Sequence, residues 1–355
     1  MKTYQELLET LRREPKTWLV TGVAGFIGSN LLETLLKANQ RVIGLDNFST
    51  GKKENIAEAI EQLNERQRAR FTLVAGDIKD LSTCRRACEK VDYVLHQAAL
   101  GSVPRSIENP VNSNDTNVSG FLNLLVAARD QRVRRVVYAS SSAVYGDSPA
   151  LPKVEANTGR PLSPYAVTKA VNELYADVFW KLYGLEVIGL RYFNVFGPRQ
   201  DPQSAYAAVI PRWISAMIRN APAVLHGDGS TSRDFCFVAN VVQANLLAAT
   251  TTNSKAVGQV FNVALGDRTT LRELFELIRC ALLPTHSHLR RYAPRHEPFR
   301  AGDVRHSQAD ISRIKAQLDY APTHTVEQGM VETLAWHARK ASSGSAASPE
   351  LMERP

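Results

Sequence analysis

The amino-acid sequence predicts an α/β fold, a doubly wound parallel sheet followed by a smaller α/β lobe. Two observations carry this expectation. From Trp18 onward, short apolar runs alternate with segments of helical period, and the runs are apolar enough to be covered on both faces, as in a parallel sheet. Beyond Val195 the character changes, with Gly197-Pro198, Pro202, Pro222, Gly227 and Gly229 punctuating shorter elements.

The first expected element, in residues 1–15, is a short amphipathic helix with Leu7, Leu8 and Leu11 on one stripe and Pro15 at its end, a strut on the surface. WLVTGV is then a strand, FIGSNLLETLLKAN a helix and RVIGLDN a second strand, which makes a βαβ unit. The alternation continues through FTLVAGD, VDYVLHQAA, the helical NVSGFLNLLVAARD, and the strands RRVVYASS and VIGLRYFNV. The expected organisation is a helix at 1–15, a sheet domain at 16–195 to which some later segments return, a lobe at 196–338, and a Ser/Ala-rich flexible tail at 339–355.

Composition bounds the class. With 355 residues, 44% hydrophobic and 22% charged, the chain can bury a large core and resembles soluble globular proteins. It has no apolar run of about 18 residues, and its first dozen residues mix acids with bases, so the expectation is a cytoplasmic chain without membrane insertion. Cys84, Cys88, Cys236 and Cys280 include no Cys-x-x-Cys pair and are expected to be reduced thiols. Cys84 and Cys88 stand one helical turn apart without a partnering His, which points to packing and to no metal. The formal charge of +8 is spread without an arginine-rich tract, so an anionic small substrate is expected and no nucleic acid.

After the first strand, TGVAGFIG spaces Gly22, Gly25 and Gly28 as G-x-x-G-x-x-G. Glycines there permit a tight turn, close approach of a pyrophosphate and close packing of helix on strand, and the helix N-terminus offers free N–H groups to phosphate. This is the dinucleotide loop of a Rossmann domain. Its candidate cofactor contacts are Gly22, Ala24, Gly25, Phe26, Ile27 and Gly28, then Asp46, Asn47, Asp77, Ile78 and Ala98 at later strand ends. Asp46 ends the second strand, where a carboxylate accepts from ribose hydroxyls and repels a 2′-phosphate, which selects NAD over NADP. Asp77 is placed to receive the adenine amino group.

Ser140, Ser141 and Ser142, then Tyr165 and Lys169 in SPYAVTK, then Asn194, end or follow strands at the edge where ligands bind in open sheets. Tyr165 and Lys169 are four apart and, behind Pro164, share one helical face. A phenol is a weak base at neutral pH, but a nearby ammonium stabilises its phenolate. Tyr165 is thus a candidate proton acceptor while hydride leaves, with Ser141 or Ser142 holding the same oxygen and Lys169 also meeting the cofactor. His96, at a strand end, is read as structural.

Together these residues resemble the extended short-chain dehydrogenase/reductases, and within them the UDP-hexose 4-epimerases, over most of the chain. LHQAALGSVPRS (95–106), NVSGFLNLL (117–125), LRYFNVFGPRQ (190–200) and HGDGSTSRDFCFV (226–238) extend the likeness, which is closest to bacterial UDP-N-acetylglucosamine and other UDP-N-acetylhexosamine 4-epimerases of O-antigen, lipopolysaccharide and capsule pathways. The resemblance implies NAD held through the cycle, transient oxidation at the sugar C4 and return of hydride to the other face. It also implies Ser141 at the catalytic Ser/Thr position, Ser142 as accessory, and Lys169 on the ribose. Gly101, Ser102, Asn194, Ala208, Val209, Trp213, Arg233, Arg268, Asp303 and Ser307 are implied around the nucleotide sugar, and the guanidinium forks of Arg233 and Arg268 suit a diphosphate. In AGDVRHSQAD, Ser307 matches a pocket-wall position where hexose-only members carry a tyrosine, which leaves room for an N-acetyl group. Relatives acting on 6-carboxylate sugars are an alternative, with Arg105 compatible with a uronate. A dehydratase is a further alternative, although Ser142-Ala143 stand where it would carry Asp-Glu; so are a reductase with exchangeable cofactor and a non-catalytic sugar binder. The family commonly forms homodimers through two helices of each subunit, here NVSGFLNLLVAARD and the Tyr165 helix.

Overall fold

The computed structural model describes residues 3–202, 208–299 and 304–343. Seven strands form one parallel sheet: β1 (Thr17–Thr21), β2 (Arg41–Asp46), β3 (Phe71–Ala75), β4 (Tyr93–His96), β5 (Arg135–Ser141), β6 (Glu186–Tyr192) and β7 (Val260–Val263). Their order is β7-β6-β5-β4-β1-β2-β3. The chain winds outward from β1 through β2 to β3, then returns to β4 beside β1 and winds the other way. A crevice therefore opens at the carboxyl ends of β1 and β4, where the direction of winding reverses.

Among the helices that frame the sheet and lobe are α1 (Tyr4–Arg13), α2 (Phe26–Lys37), α3 (Lys53–Glu61), α4 (Leu81–Ala87), α5 (Gly120–Asp130), α6 (Pro164–Tyr183), α7 (Val209–Ile218), α8 (Val238–Thr250), α9 (Leu271–Leu282) and α10 (Val326–Ser343). One face of the sheet meets Leu31, Leu32, Leu35 and Leu36 of α2 and the almost wholly buried α8. The other meets Cys84, Phe121, Leu124, Ala176 and Phe179 from α4, α5 and α6. Because both faces are covered, the strands are apolar on both sides, and each fully buried Leu contributes about 1.5–3 kcal/mol by transfer from water. The Cys84 and Cys88 thiols are buried and pushed up to about 12 by desolvation, so both are inert packing groups.

The strut helix is tied in more firmly than its amphipathic stripe suggests. Thr3 and Glu6 form a reciprocal cap, Leu7 and Leu11 are buried while Leu8 is half-buried, and Gln40 donates to the Leu11 carbonyl at 2.6 Å. Residues 238–250 and 260–263 come back to the sheet as α8 and β7, although they follow the change of character near Val195. A third core of Ile210, Trp213, Phe235, Leu274, Phe275 and Ile278 holds α7 against α9 in the smaller lobe.

Candidate active site

The glycine loop closes on itself and on the β4 edge. Gly22 has φ of 69°, and a Cβ there would stand 2.7 Å from the Ala98 nitrogen; a Cβ on Gly28 would stand 2.0 Å from the Gly22 carbonyl oxygen. No side chain caps α2 behind Gly25, so its first-turn N–H groups face outward. They look into a cleft of about 710 Å³, lined by Gly22, Gly25, Phe26, Ile27, Gly28, Asp46, Asn47, Asp77, Ile78, Ala98, Gly101, Ser140, Ser141, Tyr165, Lys169 and Asn194. Ala24 lies behind this wall, fully buried, with its N–H given to Asp46 Oδ2 at 2.9 Å. Asp46 Oδ1 accepts the Phe48 N–H at 2.8 Å; burial pushes the carboxyl up and these backbone donors pull it back. Asn47 donates to Asp77 at 2.9 Å, which aligns two strand ends on one rim. The cradle fits a dinucleotide: a bare helix N-terminus for phosphate, with the Asp46 carboxylate at the end of the neighbouring strand in the same cleft for a ribose.

Tyr165 sits in the first turn of α6, where Ser163 caps the helix and Pro164 opens it. Its backbone N–H, which has no helical partner, is given to Ser106 Oγ at 3.0 Å. Burial pushes the phenol up, and a side-chain hydrogen bond with Ser141 opposes it. Lys169 is buried, with Nζ 5.9 Å from the Tyr165 ring centroid and donating to the Ala139 carbonyl at 2.8 Å. Desolvation lowers its ammonium to about 8, against the opposing charge of Glu173. The three serines diverge: Ser140 donates to Glu173 at 2.5 Å, Ser141 meets Tyr165, and Ser142 begins a 3-10 turn and is not among the residues lining the cleft. His96 is buried against Phe121, its Nδ1 2.8 Å from the Thr21 hydroxyl, and desolvation lowers it to about 3, so it is neutral.

On the lobe side Asn194, Ala208, Val209, Trp213 and Arg233 line a second cavity of about 310 Å³, together with His226, Phe235 and Phe299; Asn194 belongs to both spaces. Trp213 is fixed by its indole N–H to the Val224 carbonyl at 2.9 Å. Ser307 is half-buried and is not among the residues lining either space; its N–H is given to the carbonyl of Ser232, the neighbour of Arg233, at 3.1 Å. Gly101 lines the large cleft, while Ser102 caps the following turn by accepting the Arg105 N–H at 3.2 Å. Arg268 is exposed and lines neither space, and Asp303 lies outside the described residues. Among the described residues no group of His, Cys, Asp and Glu has metal-holding geometry, and no helix is long and apolar enough to cross a membrane.

Several residues that hold the site are not signalled by sequence pattern. Asn117 lies in a turn of π-helix (Asp115–Ser119), accepts the Leu100 N–H at 2.7 Å and donates to Leu100 O and Thr168 Oγ1, pinning the Gly101 loop to α6. NVSGFLNLL read as plain helix conceals this widened turn, a feature common at functional sites. Asp234 is fully buried and accepts the N–H groups of Leu265, Gly266 and Ala309, with desolvation raising it to about 7. Residues 49–55 wrap the cofactor rim, and Lys52 meets Asp201 at 2.9 Å across the cleft mouth. As chemistry, a phenol sharing a cleft wall with a serine and a buried ammonium can take a proton from an oxygen and return it.

The profile of the NAD dependent epimerase/dehydratase family matches residues 18–264. The chain is 37% identical over 320 residues to a putative UDP-glucose 4-epimerase of Methanocaldococcus jannaschii, covering 90% of this chain and 97% of that one. Among solved structures it is similar to a UDP-N-acetylglucosamine 4-epimerase from Methanobrevibacter ruminantium in complex with UDP-N-acetylmuramic acid, with TM-score 0.83, 38% identity and coverage of 92% and 99%. It is also similar to a Thermus thermophilus UDP-glucose 4-epimerase in complex with NAD, with TM-score 0.78, 33% identity and coverage of 91% and 99%.

Proposed function

The chain belongs to the NAD dependent epimerase/dehydratase family, and from that premise we propose that it is a UDP-N-acetylglucosamine/UDP-N-acetylgalactosamine 4-epimerase of surface polysaccharide biosynthesis. The observation that carries this reading is the meeting of Ser141, Tyr165 and Lys169 at the sheet edge, between the glycine cradle and the lobe cavity. The first-turn N–H groups of α2 hold the cofactor pyrophosphate, Asp46 the adenosine ribose and Lys169 the nicotinamide ribose. NAD, when bound, supplies the site that accepts a hydride from the sugar C4 and gives it back. Tyr165 takes the proton of the 4-hydroxyl at its phenolic oxygen, and the adjacent Lys169 ammonium lowers the cost of the phenolate. Ser141 Oγ bonds the same oxygen and keeps it in line with Tyr165. After the sugar turns, Tyr165 returns the proton to O4.

The diphosphate is assigned to Arg233 and Arg268, Arg233 lying nearer the cavity in the present geometry. Small side chains at Gly101, Ala208 and Ser307 support an N-acetylated sugar. An exposed apolar stripe on α6, with Val167 at 47%, Leu174 at 67% and Leu182 at 72% exposure, and Ile107 and Val111 beside it, supports a homodimer through this face. Incubation with UDP-N-acetylglucosamine, UDP-N-acetylgalactosamine, their uronates and UDP-glucose, read by NMR, tests the reading. Equal turnover of all five, or turnover of uronates alone, would displace it. Arg105 on the cleft wall keeps the uronate outcome concrete.

A further inference from the structure

Behind the Ser141, Tyr165 and Lys169 group lies a second polar layer that the proposed chemistry does not use. Glu173 stands one helical turn beyond Lys169 on α6, so that Tyr165, Lys169 and Glu173 follow one another along the same face. Its side chain is 15% exposed and that of Arg191, opposite it on β6, is 5% exposed. Arg191 grips the carboxylate with Nε to Oε1 at 2.9 Å and Nη2 to Oε2 at 2.7 Å. The remaining guanidinium nitrogen donates to the Glu155 carbonyl at 3.0 Å, which leaves the fork little freedom. Oε1 also accepts the Ser140 hydroxyl at 2.5 Å.

Resting on the assignment of Tyr165 and Lys169 above, we propose that Glu173 is a positioning residue, whose Arg191-held carboxylate anchors Ser140, and so Ser141, while balancing the buried ammonium of Lys169. Two legs support this. The first is mechanical: Ser140 is the residue before Ser141, and Lys169 binds the carbonyl of Ala139, the residue before Ser140, so the end of β5 is held from α6 at two successive positions. A loss of either bond lets the serine that faces Tyr165 drift. The second is electrostatic: Lys169 is desolvated, and the Glu173 carboxylate, one turn along the same helix face, opposes that by favouring its ammonium. The other charged or titratable groups around it are Tyr165 on the same helix, neutral His96 from β4, and Arg191 from β6, already committed to Glu173. Arg191 alone would favour an acidic partner for the fold, but neither the Ser140 bond nor the placement beside Lys169 is needed for that.

Glu173→Gln and Ser140→Ala test the two legs separately. In protein labelled with 13Cε-lysine, with Lys169 assigned by its loss in Lys169→Met, Glu173→Gln is expected to lower the titration midpoint of Lys169 by about one pH unit. This readout needs no turnover, so it remains decisive even if the proposed reaction fails. Ser140→Ala keeps the Arg191 pair and is expected to melt close to wild type while losing about tenfold in kcat with KM within about twofold. If Glu173→Gln fails to fold, Ser140→Ala alone decides. A Lys169 midpoint that does not move in folded Glu173→Gln, or wild-type kcat in Ser140→Ala, overturns the proposal, whereas absence of 4-epimer in wild type itself would overturn the functional reading instead.

Discussion

Gly28→Ala tests the cofactor cradle with a single methyl group. An added Cβ would stand 2.0 Å from the Gly22 carbonyl oxygen, 2.8 Å from its carbon and 3.0 Å from the Val23 Cα. All three are backbone atoms, so no side chain can swing aside, and the oxygen contact is roughly 1.4 Å short of ordinary separation. The first turn of α2 must move off the loop by a comparable amount, which takes its N–H groups out of register with a bound phosphate. Overpacking of this kind costs about 1–3 kcal/mol, or one to two decades in NAD affinity if it falls wholly on the bound state. The assay is the NAD released on denaturing the purified protein, per chain, with melting temperature measured with and without added NAD. Full NAD content in Gly28→Ala would refute the assignment of this loop to the pyrophosphate.

Tyr165→Phe should keep NAD and lower kcat by about two to four decades with little change in KM, because only the proton-transferring oxygen is removed. With Lys169 charged below about 8 and its charge needed for the phenolate, kcat should fall as pH rises through about 8; a profile flat to about pH 10 would contradict this. Ser307→Tyr should selectively lose N-acetylated substrates while keeping UDP-glucose, and an equal effect on both would remove Ser307 from the pocket wall. If the proposed homodimer forms through the exposed stripe on α6, Leu182→Glu should give a monomer where wild type gives a dimer in light scattering after size exclusion, and a dimeric Leu182→Glu would remove this face as the interface.

Much of the sheet was legible because its signals are local. The glycine spacing, the apolar runs and the Pro164 helix start each act within a few residues, and the structure forms β1, α2, β2 and α6 at those places. The seven-stranded order could not be read so directly, since β7 and α8 come from beyond the Pro/Gly-punctuated segment and join only through tertiary packing. The site divides the same way. Tyr165 and Lys169 stand out by their spacing on one helix, whereas the choice between Ser141 and Ser142 depends on how β5 ends and turns into the 3-10 helix. Asn117, Asp234 and Glu173 leave no motif, because their partners are 17 to 75 residues away in the chain or are backbone groups. Arg268 is assigned to the diphosphate through the family resemblance; it is exposed and lines neither cavity, and no pattern in the sequence foretells that position.

A single NMR time course with purified protein, UDP-N-acetylglucosamine and no added cofactor decides whether Tyr165, Lys169 and Ser141 epimerise this sugar with NAD the protein already holds. A 4-epimerase makes UDP-N-acetylgalactosamine appear and approach a constant ratio from either sugar, with the protein's own NAD unconsumed. A strict need for added NAD, consumed in proportion to product, or release of a dehydrated sugar would contradict it.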